Sequence, residues 1–89
     1  MKKLPNNVIQ YKSTPMFTEE SVPKGLLNNH NTKSGVWGLI KVEEGELEYV
    51  IENKEVHILT ENNIGVVEPE ILHHIKPLGK VLFRVEFYK

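Results

Sequence analysis

The stretch "VWGLIKVEEGELEYVI", residues 36–51, decides the fold class. Val36, Ile40 and Val42 fall on one face of its first half, with Trp37, Leu39 and Lys41 opposite. Such alternation is the period of a strand, in which successive side chains point to opposite sides. Leu47, Tyr49 and Ile51 then alternate with Glu48 and Val50. Between the halves lies "EEG" at 43–45, where Gly45 can take the positive φ that a turn between two strands needs. The stretch predicts strand, turn, strand.

The same period recurs outward from it. "VLFRVEFYK" at 81–89 sets Phe83, Val85 and Phe87 against Leu82, Arg84, Glu86 and Tyr88. "EVHILT" at 55–60 sets Val56 and Ile58 against His57 and Leu59. "VIQYK" at 8–12, "IGVVE" at 64–68 and "HHIKP" at 73–77 are shorter strand candidates. "ENK" at 52–54, "ENN" at 61–63 and "PLG" at 77–79 carry turn chemistry. Strands at such regular short spacing predict an antiparallel sandwich or barrel. In "TEESVPKGLL" at 18–27, Thr18 can cap a first turn, and Pro23 and Gly25 stop it, so a turn or one short helix is expected there.

With 89 residues, one small domain spanning 1–89 is expected. There is no cysteine, which excludes disulfides and thiolate metal sites. Eleven basic residues are scattered among twelve acidic ones, all glutamate, and Arg84 is the only arginine. No basic stripe marks a nucleic-acid or polyanionic membrane surface. The start "MKKLPNNVIQYK" has no apolar run of the kind a signal peptide carries, and no stretch is long and apolar enough to span a bilayer. A cytoplasmic location is the expectation.

"HNTKSGVWG" at 30–38, "GELEY" at 45–49, "VEPEILHHIKPLG" at 67–79 and the final "VEFY" at 85–88, in this order, resemble the TehB/YeaR-like family of small cupin-like domains. These occur alone or ahead of the methyltransferase of TehB-type tellurite-resistance proteins. The resemblance covers nearly the whole chain. It implies an all-β, cupin-type barrel (a double-stranded β-helix or jelly roll) of about eight short strands, with a pocket at one mouth. Two departures stand out. Thr32 occupies the place of the second histidine of a cupin's first motif, and no glutamate follows, so the usual three-histidine, one-glutamate site is incomplete. There is also no Gly-rich nucleotide loop and no room for a methyltransferase domain.

By the same resemblance His30 and His73 face one another at the pocket mouth, with Glu68, just before Pro69, as the candidate carboxylate. Two imidazoles and a carboxylate suit Zn²⁺, Fe²⁺, Ni²⁺ or Mn²⁺. The bland alternative is a solvated His30 and a His73 satisfied by a backbone carbonyl. His74 competes with His73, since only one of two adjacent strand residues looks inward. The general cupin spacing favours His74, the closer family pattern His73. Thr32 and Lys33 are candidates for an anion at the rim, and Trp37 for pocket lining or core packing. His57 is given no role.

Three functions follow. The first is a domain that binds a small molecule or oxyanion, through a divalent metal if one is held, in a tellurite-resistance-like stress context. The second is a metal-dependent cupin enzyme of oxygenase or isomerase type. The third is a protein-interaction module without chemistry. Barrel edges and exposed aromatics such as Tyr88 would carry that contact, and a homodimer through an outer sheet face goes with this third reading.

Overall fold

A computed structural model describes residues 1–89. The elements are β1 (Gln10–Ser13), β2 (Phe17–Thr18), α1 (Lys24–Leu27), β3 (Trp37–Ile51), β4 (Glu55–Leu59), β5 (Gly65–Val67) and β6 (His73–Tyr88). They form one sheet in the order β1-β6-β3-β4, with β2 added to β6 and β5 added to β3. Every pairing is antiparallel. The protein is all-β apart from the four residues of α1.

There are six strands rather than the eight or so that the resemblance implies: two expected turns lie inside strands, which merges four of the seven candidate segments into two, and β2 is an addition. "EEG" at 43–45 lies inside β3 and "PLG" at 77–79 inside β6. The two long strands pair with each other from Trp37↔Tyr88 to Ile51↔His73. Register shifts between Val42 and Glu44, and again between Gly45 and Leu47, mark bulges in that ladder. A bulge adds a residue to one strand without ending the pairing, and it bends the strand. Here it changes which residues face in. Ile40 and Val42 are buried before it, Leu47 and Tyr49 after it. The even-to-odd switch is visible in the sequence. Whether a turn or a bulge produces it depends on the partner, and β6 pairs with β3 on both sides of the break.

The inward faces meet in one cluster. Leu47, Leu59 and Phe83 are wholly buried within it, and Ile40, Val67 and Ile75 nearly so. Burying an aliphatic or aromatic side chain of this size contributes about 1.5–3 kcal/mol. Phe17 of β2 packs its ring against Phe83, with centroids 5.6 Å apart. Tyr49 donates its hydroxyl to the carbonyl of Val66 at 2.9 Å, which satisfies its buried polar end. On the outer face Glu86 is 6 % exposed. It accepts from Arg84 Nε and the Tyr88 hydroxyl and pairs with Lys41.

The hairpin predicted at 52–54 forms, with Glu52 and Asn53 at positive φ. Thr18 Oγ1 accepts from the N–H groups of Glu20 and Ser21, so it does cap a turn. The helix itself begins only after Pro23.

The bulge makes a sharp demand on Gly45, which sits at φ 81°. A Cβ there would lie 2.0 Å from the Lys80 carbonyl oxygen, whereas one on Gly79, at φ 93°, would meet nothing within 4 Å. A left-handed conformation costs an L-residue about 1–2 kcal/mol, and overpacking adds about 1–3. Gly45→Ala is therefore expected to lose about 3 kcal/mol or more in urea unfolding, and Gly79→Ala only the backbone share. Equal losses would remove the bulge contact from the account.

Candidate functional site

His30 lies in the loop between α1 and β3, and the backbone itself fixes it against β6. Its N–H donates to the His73 carbonyl at 2.9 Å, and the His73 N–H donates back to the His30 carbonyl at 2.9 Å. This two-way bridge makes the residues a cross-strand pair, and such pairs place their side chains side by side. The imidazole centroids are 4.1 Å apart, tilted by 57°. His73 is 4 % exposed, and His30 is half-buried.

Both rings are oriented from behind. His30 Nδ1 lies 2.9 Å from the Asn28 carbonyl, and His73 Nδ1 lies 3.0 Å from the Ile71 carbonyl. A carbonyl can only accept, so in the neutral rings each Nδ1 carries the hydrogen and each Nε2 keeps a lone pair. Neither Nε2 has a partner in the protein. No fully buried side-chain nitrogen or oxygen is left without a hydrogen bond, so His73 Nε2 must open on accessible space. The space His73 lines is a pocket of about 180 Å³. Its depth is apolar: Ile40, Val67, Ile75, Val85 and Phe87. Leu26, Asn31 and Thr32 join the two histidines around it.

The other candidates are dispersed. Thr32 lines the pocket, but its hydroxyl donates to the Val36 carbonyl at 2.7 Å. Lys33 is exposed on a neighbouring groove with Tyr11 and Lys12, outside the pocket. Trp37 belongs neither to the pocket nor to the core. It pairs with Tyr88 on the outer face, because Gly38 and Ile40 take the inward positions of β3. His73 faces in, so its neighbour His74 faces out, with Nδ1 2.8 Å from Asn29 Oδ1. Glu68 stands apart from the histidines and lines a second cleft with Lys2 and Tyr49. No three His, Cys, Asp or Glu side chains come together as a metal-holding group. His57 is half-buried, with Nε2 3.0 Å from Glu55 Oε1.

Sequence reasoning missed Leu26, Asn31 and the apolar floor. Ile40, Ile75 and Val85 carry an ordinary core signature, and no periodicity tells a filled core from a lined cavity.

Fold and pocket together define a small all-β domain of one antiparallel sheet. The TehB-like domain pattern matches residues 12–85, and the chain belongs to that family. It is 38% identical over 80 residues to "Probable S-adenosyl-L-methionine-dependent methyltransferase TehB" of Haemophilus influenzae. That alignment covers 83% of this chain but only 28% of TehB, so the chain spans under a third of that relative's length. It is 25% identical over 99 residues to "Uncharacterized protein YeaR" of Escherichia coli, covering 99% of this chain and 83% of YeaR. A crystal structure of an Escherichia coli protein superposes with a TM-score of 0.91 at 24% identity, covering 100% of this chain and 97% of that one, which shows a shared fold. No helix of the chain is long and apolar enough to cross a membrane.

Burial pushes the His73 pKa below its ordinary value of 6.5, against the pull of the Ile71 carbonyl, and His30 and His74 lower it further. The folded state thus holds the neutral ring, and the unfolded chain binds the proton more readily. Stability from this source is complete above the unfolded value and falls as pH drops from there through the folded value. Urea midpoints should decline as the pH falls below the ordinary histidine value of 6.5. His73→Phe should flatten that decline, and an unchanged slope would contradict the assignment.

Proposed function

We propose that this TehB-like domain is a binding module, built as a cupin-type barrel, that takes a small ligand into the pocket beside His30 and His73. The observation that carries the reading is the pair of imidazoles held by backbone carbonyls with both Nε2 atoms unengaged. Such pre-orientation from behind is how proteins prepare histidines to meet a ligand. The apolar depth fits the general form of small-molecule sites, mostly apolar with a few convergent polar groups. The relationship to TehB is what supports a tellurite-resistance-like stress context, and a cytoplasmic setting is part of the same proposal. The methyltransferase named for that relative is not carried over, since the shared region is a small part of it.

A second reading rests on the same pair. Two adjacent imidazole Nε2 lone pairs suit a borderline divalent cation such as Zn²⁺, Fe²⁺, Ni²⁺ or Mn²⁺. His30 and His73 would supply two protein ligands, and Glu68 is not placed to add a third. A cation there would reverse the polarity of the site and attract an oxyanion to its remaining positions. This is the route by which the oxyanion reading and the metal-dependent enzyme remain open.

Two measurements separate these. For the ligand pocket, Leu26→Trp, at a half-buried lining position packed against the edge of the core, should block the mouth, with urea unfolding confirming that the fold survives. A small molecule at one hundred times its Kd stabilises the folded state by about 2.7 kcal/mol, and the variant should lose this. Stabilisation that survives the block would place the ligand elsewhere. For the metal, mass spectrometry of the purified protein should find near-stoichiometric cation, lost in both His30→Ala and His73→Ala. Metal content indifferent to both substitutions would sink the pair as ligands.

A further inference from the structure

Resting on the reading of this pocket as a ligand site, we propose that its natural occupant is a small, uncharged, apolar-bodied molecule that donates one hydrogen bond, of the size and kind of a phenol or short alcohol. Three observations converge on that class.

The first is polarity. Each histidine uses its only neutral-state N–H on a backbone carbonyl, so each Nε2 accepts and does not donate. The Thr32 hydroxyl hydrogen is spent on Val36, and the amide of Asn31, the remaining side-chain donor of the lining, belongs to an exposed residue rather than to the apolar depth. No lysine or arginine lines the cavity. A free oxyanion entering the metal-free pocket would face two nitrogen lone pairs and lose its hydration. A hydroxyl would find what it lacks there, an acceptor.

The second is the persistence of that polarity. His73 is almost wholly buried, and its backbone bridge to His30 and the Ile71 carbonyl fix the orientation of its ring. Nε2 of the neutral ring is thereby held as the acceptor.

The third is size and lining. The cavity of about 180 Å³ is floored by Ile40, Val67, Ile75, Val85 and Phe87. An apolar cavity of about 150 Å³ suffices for benzene. A ligand of roughly that volume places its ring or short chain on the floor and its hydroxyl at the imidazoles.

Phenol against toluene is the test, because the two share a body and differ in the donor. Transfer from water into a site without an acceptor favours toluene, so a preference for phenol reports the acceptor. Chelator-treated protein would be titrated with each, following the imidazole nitrogens by NMR. The expected result is saturable movement of His30 and His73 resonances with phenol, His57 and His74 staying still. Phenol should bind more tightly than toluene, and sulfate should not displace it. In His73→Phe, which keeps ring volume, the preference should swing toward toluene by roughly tenfold or more, since a buried hydroxyl loses its partner. Should that variant fail to fold, His30→Phe at the half-exposed rim gives the same reading. Toluene equal to or tighter than phenol in the unaltered protein, or displacement of phenol by sulfate, overturns the inference and leaves the pocket standing. Saturable binding of neither molecule also overturns the inference, and binding of either that Leu26→Trp leaves unchanged overturns the pocket reading itself.

Discussion

The long β3–β6 ladder is the constraint on which the rest depends. Its two strands stay paired from Trp37↔Tyr88 to Ile51↔His73 while the register shifts twice near the middle. Continuous pairing satisfies the backbone polar groups that a break would strand. The bulges let the same two strands present one apolar face before the break and another after it, with Ile40 and Val85 on one side and Tyr49 and Ile75 on the other. All four are buried, and three of them, Ile40, Val85 and Ile75, line the pocket. The short strands are additions to this frame: β2 covers Phe83, β5 extends β3 beside Gly38, and β4 closes the hairpin.

The histidine pair sits where that ladder ends. His73 is the first residue of β6, paired with Ile51 on one side and bridged to His30 on the other. The ring is therefore buried by the sheet, by Tyr49 at its edge and by His30 across from it. Burial favours its neutral form, in which the Ile71 carbonyl holds the hydrogen on Nδ1. Those two local facts set the chemical sense of the pocket. In the proposed site the unengaged Nε2 atoms are the lone-pair acceptors.

Much of this was legible in the residues. The alternation at 36–42, 47–51 and 81–88 identified the inward faces, and Phe83, Val85, Leu47 and Tyr49 are buried as that pattern requires. The family resemblance carried by "HNTKSGVWG" and "EPEILHH" is borne out, and His73 rather than His74 faces inward. Trp37 was misplaced. Its side of β3 is the outer one, where it lies opposite Tyr88 instead of in the pocket or core. Glu68 was drawn toward the histidines by its place before Pro69, yet it lines another cleft. Of the two anion candidates at the rim, Lys33 is exposed on a neighbouring groove, as a solvated loop residue would be, and the Thr32 hydroxyl is bound to Val36.

By itself the sequence determined what depends on near neighbours. Period-two alternation selects strands and their buried faces, because adjacent side chains must point to opposite sides. Turn residues such as Asn53 select a hairpin, and the absence of cysteine removes whole classes of site. Only the tertiary structure decided what depends on partners distant in the chain. Gly45 is a bulge because β6 pairs on both sides of it. His30 is a site residue because its backbone is bridged to His73. The carbonyls of Asn28 and Ile71, each two residues upstream, hold the Nδ1 atoms locally, but only the fold brings the two rings together with their Nε2 atoms free.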